Sequence, residues 1–419
     1  MKIGELARIC KVPQATIRYY VKTGLLIPDN EGAQYNFTER DLRDMELILK
    51  LKRQHFNLKE IQNYLILVRH SNLIEPDTIA AFRQILEKKQ EELTQEIFLL
   101  QQSYRELEKD IYALNPGEGV SDNRTGVPVA ALSLLVCPHC GRLLTVDSAV
   151  IEGGAVISGT LKCPSPQECP GSGYHAIIEN GIVKTGNVYT GDSDAPDLKR
   201  GLYRGMSPEF SAGLQRCYDF ICSELQGMDL HIKVIMETNI NGYFFLYHHL
   251  GLVPDDCLCI VVDKFPEMME MYKRLIEKMG IRTPILYIAE AGYQLPVRKE
   301  SVDVHISCMA EDEHQFYHQG TLSESIKPFF RPDIRIIGAY FGYDRNSVTR
   351  RNIRNKYPES SPRGHQMDYM LEDYRKAGFK IDASEVARTT DSGLLRYSFD
   401  CHVKGENLYI YRFRAAFED

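Results

Sequence analysis

Between Pro13 and Leu26 the chain reads Pro-Gln-Ala-Thr-Ile-Arg-Tyr-Tyr-Val-Lys-Thr-Gly-Leu-Leu, and this stretch constrains the first seventy residues more than any other. Ile17, Tyr20 and Val21 recur at helical spacing and can face a core, which leaves Gln14, Thr16, Arg18, Tyr19 and Lys22 outward, polar or basic. That is the make-up of a recognition helix. Ile3 to Ile9 predicts a short helix ahead of it, Cys10-Lys11-Val12 the turn, and Pro13 opens the second helix where no backbone donor is needed. Two further helix starts carry visible caps, Thr38 with Asp41 and Asn57 with Glu60, and the stretch Pro28 to Phe37 between them predicts a wing. A winged helix-turn-helix is expected over 1–75.

Ile3-Gly4-Glu5-Leu6-Ala7, Thr16-Ile17-Arg18-Tyr19-Tyr20 and Gly24-Leu25-Leu26, in this order and spacing, resemble the DNA-binding domain of the MerR family of bacterial transcription regulators. The resemblance implies double-stranded promoter DNA and RNA polymerase as partners, a homodimer joined by an antiparallel coiled coil, and a variable C-terminal domain that senses an effector. It also implies DNA contact by Thr16, Arg18, Tyr19, Tyr20 and Lys22, with Tyr35 in the wing. The wing departs from the family's Gly-Tyr-Arg-x-Tyr: this chain has Ala33-Gln34-Tyr35-Asn36-Phe37, so Tyr35 stands where a phosphate-contacting arginine is usual. Phosphate contacts position a reader rather than specify its sequence, so the change bears on affinity.

At 419 residues the chain has room for two or three domains with real cores. Its net charge is -7, yet residues 1–70 hold more Lys and Arg than Asp and Glu, so basic character lies where DNA would be. No apolar run reaches membrane-spanning length and the start has no leader pattern, so a cytoplasmic location without membrane contact is expected. In that reducing compartment the 11 cysteines point to metal rather than disulfides wherever they cluster.

From Ile79, apolar residues fall at Phe82, Leu86, Leu93, Ile97, Leu100, Tyr104, Leu107, Ile111 and Leu114, mostly at alternating steps of four and three, broken at Lys89-Gln90. This heptad seam predicts a dimerising coiled coil over 76–115, against the plainer alternative of an amphipathic helix packed on its own domain. Pro116-Gly117-Glu118-Gly119 stops the helix and 116–130 reads as a linker. Then come Cys137-Pro-His-Cys140 and Cys163-Pro-Ser-Pro-Gln-Glu-Cys169. Two such pairs across a hairpin predict a zinc ribbon over 131–185, with Cys137, Cys140, Cys163 and Cys169 as ligands and His175 as an alternative fourth. Four protein ligands leave no open position for water, so the zinc would be structural.

Residues 195–419 alternate strand-like and helix-like stretches. Ile232–Met236, Leu258–Val262, Ile285–Ala289, Val302–Ser307 and Ile334–Phe341 read as strands, and Phe244–Leu250 and Pro266–Met279 as helices. Such alternation predicts a doubly wound, mostly parallel α/β sheet that binds ligands at the C-terminal strand ends. Glu237, Asp263 and Glu290 sit at those ends, and Ser301-Val302-Asp303-Val304 follows. Together these resemble the class I S-adenosylmethionine-dependent methyltransferases, in particular the 23S rRNA guanine methyltransferase type, which also carries a zinc ribbon ahead of its catalytic domain.

The resemblance implies S-adenosylmethionine bound by Glu237, Asn239, Asn241, Gly242, Asp263, Glu290 and Ala291. The decisive loop departs from it: Glu237-Thr-Asn239-Ile-Asn241-Gly242-Tyr243 stands where the family has an acidic residue and a Gly-x-Gly-x-Gly run. Asn tolerates positive φ, so the backbone path can persist, while Tyr243 and the added side chains are expected to crowd the pocket. No residue commits to a catalytic base; His305 and Asp312 qualify by position alone. Arg345, Arg350, Arg351, Arg354, Lys356 and Tyr357 read as a solvated loop or as a contact for an acidic ligand, and His248-His249 as helix surface.

The sequence therefore predicts a dimeric MerR-type regulator whose methyltransferase-like domain senses a small molecule, S-adenosylmethionine or an antibiotic-like compound. The alternative is an active methyltransferase, on rRNA or a small molecule, that regulates its own gene. A third reading makes the zinc site the sensor.

Overall fold

The computed structural model describes residues 1–31, 34–71, 75–114, 125–170, 173–199, 201, 204–394 and 400–418. Ala33 and the linker stretch 116–124 lie outside the described residues. The chain divides into two compact units, Met1–Glu118 and Gly119–Asp419.

In the first unit, α1 (Ile3–Cys10) and α2 (Gln14–Lys22) are joined by a turn in which Lys11 takes a left-handed φ of 54°. A two-stranded wing follows, β1 (Asp29–Glu31) and β2 (Gln34–Asn36), then α3 (Glu39–Arg53), α4 (Leu58–His70) and the long α5 (Pro76–Leu114). Both sequence-predicted caps form: the Thr38 and Asn57 side chains accept from the backbone of Asp41 and Glu60, which reciprocate. Leu6, Ile17, Tyr20, Leu25, Met45, Ile48 and Ile61 share one core. Burial of these side chains from four helices, rather than the propensity of any short one, holds α2 in place.

In the second unit, β3 (Val127–Pro128), β4 (Thr145–Glu152), β5 (Ala155–Lys162), β6 (His175–Glu179) and β7 (Ile182–Lys184) form the cysteine-bearing ribbon. After it run α6 (Pro208–Gln226), β8 (Val234–Thr238), α7 (Phe245–His249), β9 (Leu258–Asp263), α8 (Pro266–Met279), β10 (Ile285–Ala289) and β11 (Val302–Cys308). The chain closes with α9 (Ala310–Tyr317), α10 (Leu322–Ile326), β12 (Phe330–Tyr343), α11 (Val348–Lys356), α12 (Met367–Lys376), β13 (Phe379–Thr389) and β14 (Leu408–Phe417).

These strands make one sheet in the order β13-β14-β12-β11-β8-β9-β10-β7-β6-β5-β3, with β4 on β5. Strands β10, β9, β8, β11 and β12 are parallel neighbours and β14 and β13 add antiparallel beyond β12, which gives one mixed sheet. Alternate residues of a strand serve opposite faces. Cys259 and Val261 of β9 join the cluster beneath α6 and α8, while Ile260 and Val262 join the one that also holds Leu322 of α10 and Tyr374 of α12. The ribbon is not a separate bead: β7 pairs in parallel with β10, Val183 opposite Ile288, and so extends the large sheet.

Several boundaries differ from expectation, among them β12, which begins at Phe330 rather than Ile334. Ile232 lies before β8 in a left-handed turn at φ 59°, 82% exposed, so the strand begins at Val234. The helix expected over Phe244–Leu250 is only Phe245–His249, followed by a 3-10 turn over Leu250–Leu252.

Candidate functional site

On α2, Arg18, Tyr19 and Lys22 are exposed and Thr16 is half-buried, all on the outer face. Tyr19 is 50% exposed, whereas Tyr20 is 6% exposed and packs in the core with Ile17. Tyr20 thus supports the helix from beneath. Two residues without any motif fix the helix end: Gln62 Nε2 donates to Thr23 O at 2.6 Å, and Arg69 donates to Leu25 O at 2.6 Å while pairing with Asp44 at 2.7 Å. Gly24 makes the turn at φ 73°. In the wing, Asn30 pairs with Tyr35, whose exposed ring lies 6.1 Å from that of Phe37.

The seam of α5 is exposed from Ile97 to Ile111, and its interruption has a local cause. Lys89 reaches Glu60 at 2.8 Å and Glu92, and sits 5.1 Å from the Phe56 ring centroid, so this position serves α4. Phe82 is likewise buried against Tyr64 of α4. The free seam begins after this contact.

In the ribbon, Cys137, Cys140, Cys163 and Cys169 bring their sulfurs within 4.8 Å of one another. Cys137 and Cys169 are 3.6 Å apart, Cys140 and Cys163 3.7 Å. A tetrahedral site with metal–sulfur bonds of about 2.3 Å has sulfurs about 3.8 Å apart, so the four fit one ion and no disulfide. Gly141, at φ 71°, donates to Cys137 O and closes the first knuckle. His175 begins β6, exposed, and is not among the four.

The predicted cofactor residues do converge on the strand ends, but toward one another. Glu237 is buried and accepts from the N–H groups of Phe245 and Leu246, capping α7; burial pushes its carboxyl up to about 8. Asp263, 1% exposed, accepts from Asn241 N–H at 3.0 Å and Phe265 N–H at 2.9 Å. Glu290, 3% exposed, accepts from Thr185, Asn187 and Gly292, and Ala291 N–H donates to Asn187 O. Asn239 takes the positive φ, 55°, that its place required, and spends its amide on Ala310 O and the Tyr293 hydroxyl. Asn241 spends its own on Asp197 N–H and Ala195 O. Gly242 borders the cavity described next.

Glu290, Ala291 and Asn241 are thus engaged by the segment from Thr185 to Asp197, which runs as a strap across the strand ends, while Glu237, Asp263 and Asn239 are satisfied by neighbouring backbone and Tyr293. Ribose hydroxyls have no path to Asp263 in this arrangement, so the residues do not fit S-adenosylmethionine. The crowding expected from Tyr243 is not the reason. Its ring is turned away and stacks on Tyr218 at 4.3 Å and on His248 at 5.1 Å.

Beside the strap a solvent-connected cavity remains at the ends of β8, β11 and β12. Asp194, Asp312, Glu313, Phe316, Tyr317 and His365 are among the residues lining it. Of these the sequence had singled out only Asp312. The acidic Asp192-Ser-Asp194-Ala-Pro-Asp197 run was the available signal. His305 lies elsewhere, buried against Thr238 at 3.1 Å with its pKa pushed down to about 3, and is a neutral sheet residue. Arg350 is buried and donates to the carbonyls of Arg345, Pro362 and Gly364, and Tyr357 is buried too, so only part of the basic stretch faces outward. His249 contacts Cys222 at 3.4 Å, apart from the His248–Tyr243 stack.

The first unit is a winged helix-turn-helix with a long following helix, and the second a mixed α/β sheet extended by a cysteine ribbon. Residues 1–66 match the MerR HTH family regulatory protein profile. The chain is 30% identical over 124 residues to the HTH-type transcriptional regulator CueR of Vibrio cholerae, covering 29% of this chain and 86% of that protein. It is 30% identical over 112 residues to the HTH-type transcriptional regulator ZntR of Escherichia coli, covering 26% and 76%. The chain belongs to the MerR family. A solved phospholethanolamine N-methyltransferase 2 of Haemonchus contortus, in complex with S-adenosylhomocysteine, overlays 48% of this chain and 52% of its own at 12% identity, with a TM-score of 0.37. Among the described residues no helix is long and apolar enough to cross a membrane.

Proposed function

We propose that the protein is a dimeric, DNA-binding transcription regulator whose second unit is a small-molecule sensor rather than a methyltransferase. The observation that carries the sensing part is the strap: Asn241, Asp263 and Glu290 bond to the chain itself where a cofactor would be held, yet a cavity persists beside them. Thr16, Arg18, Tyr19, Lys22 and Tyr35 would meet promoter DNA, and Tyr20 would hold their helix. The exposed seam from Ile97 to Ile111 would pair with a second copy, placing two α2 helices on a two-fold related site for RNA polymerase to read. The four-cysteine site would hold a structural zinc ion.

Isothermal titration with S-adenosylmethionine and S-adenosylhomocysteine, alongside a Glu237→Ala, Asp263→Ala variant, tests the choice against the enzyme. No binding is expected. Micromolar binding lost in the variant, with methyl transfer to any RNA or small molecule, would sink the sensor reading.

A further inference from the structure

Lys264 shows what the wall of the cavity accepts. Its ammonium lies 2.7 Å from both Asp194 and Glu313, 3.5 Å from the Tyr317 ring centroid and 5.0 Å from that of Tyr189. Carboxylates and aromatic faces around an ammonium are the chemistry that stabilises a cation away from water. Asp194, Glu313 and Tyr317 line the cavity as well, so the same acceptors front both the lysine and the open space.

Deeper in, the cavity has a group that awaits a partner. His365 is 3% exposed and lines it; Nδ1 faces Asp312 Oδ1 at 3.5 Å, and Nε2 is buried without a hydrogen-bond partner. A neutral imidazole that turns its N–H toward a carboxylate presents a lone pair at the other nitrogen. Leaving it unmatched is costly, and a donor from a ligand removes that cost. Asp312 accepts from Phe341 N–H, and burial, with Glu311 and Glu313 nearby, holds its carboxyl well above the usual carboxylate range; a cation bound beside it would favour the ionised form, to which His365 Nδ1 then donates. Asn239 and Asn241 each spend one amide N–H on the backbone, of Ala310 and Ala195. The charged side chains that face the space are all carboxylates, set between apolar walls such as Phe316 and Met309.

We infer that this cavity binds a small organic cation, a protonated amine on an apolar body, with its N–H groups on His365 Nε2 and Asp312 and no nucleoside. The inference rests on the sensor reading for its role and stands apart from it as a binding site.

The test is isothermal titration of the full-length protein, without DNA, against aryl-alkyl ammonium ions from 2-phenylethylamine to larger diaryl amines. Each is paired with the alcohol of the same skeleton, and 3-phenylpropionate supplies the anion. At least one amine is expected to bind ten-fold or more tightly than its alcohol, with the preference reduced at least ten-fold in both Asp312→Asn and His365→Phe. Circular dichroism shows whether each variant is folded, and Glu313→Gln replaces one that is not. Failure of every amine, equal binding of amine and alcohol, or preference for the carboxylate overturns the inference. So does S-adenosylmethionine binding that depends on Asp263. Amine binding that leaves affinity for DNA unchanged keeps the site and sinks the sensor reading. A different ligand that shifts DNA affinity while no amine binds does the reverse.

Discussion

The N–H of Asn241 donates to Asp263 Oδ2 at 3.0 Å, while its side-chain oxygen accepts from the N–H of Asp197 at 3.0 Å. One residue thus closes both the carboxylate at the end of β9 and the strap that covers it. In Asn241→Ala the amide of Asp197 loses its acceptor. Hydrogen exchange at Asp197 is expected to quicken by about ten-fold, with exchange in β9 unchanged. Equal protection in both proteins would show that the strap is held by other contacts.

Buried acids set the pH response of the second unit. Glu237 is raised to about 8 and Glu311 to about 7, so the folded state holds protons that the unfolded chain releases near pH 4.5. Stability from these groups is full at low pH and lost as pH rises through the folded values. His305 and His365, lowered to about 3, act oppositely, costing stability only as pH falls below 6.5. Between pH 6.5 and 8.5 these two histidines no longer act, and His231, raised by its pairing with Asp256, loses stability in the same direction as the acids. The unit's thermal midpoint is expected to drop by about 3 °C or more across that range, and by less in Glu237→Gln. A flat or rising wild-type midpoint would refute the assignment.

Arg18 and Tyr20 are neighbours in sequence with different duties. Arg18→Ala should weaken binding to a duplex selected from random sequence by about ten-fold with the fold intact. Tyr20→Ala should destabilise the first unit by about 3 kcal/mol, whereas Tyr20→Phe leaves DNA affinity alone. Fluorescence anisotropy and thermal melts separate the two, and a DNA defect in Tyr20→Phe would make its hydroxyl a contact.

For the ribbon, elemental analysis should give one zinc per chain, and none in a Cys137→Ser, Cys163→Ser variant. Because β7 continues into β10, chelation is expected to lower the midpoint of the whole second unit rather than release a separate transition. A distinct low-temperature step for the ribbon alone would contradict this.

Much of this was legible because the signals were local. Capping boxes at Thr38 and Asn57, the Pro13 and Gly24 punctuation and the four cysteines each depend on neighbours in sequence, and β8 to β12 announced themselves as short apolar runs, whereas β13 and β14, which mix apolar and charged residues, did not. What stayed hidden depends on distance along the chain. Nothing near Gln62 or Arg69 says that they reach the end of α2, and nothing in Asp194 or Asn187 says that they fold back over β9 and β10. The role of Tyr20 was ambiguous for a related reason: a tyrosine at an inward helical position reads equally as contact or core until the facing helices are placed. The asparagines at 239 and 241 were seen as losses of glycine, and their amides prove to be the gain.

The pairing of Val183 with Ile288 has a further result. A parallel sheet ending at β10 would offer a bare row of backbone donors and acceptors to any other chain, and β7 occupies that row with three residues of ribbon. If the metal is lost and the ribbon frays, the exposed margin becomes a template for strand addition, so metal-starved protein would fail by self-association before it failed by unfolding.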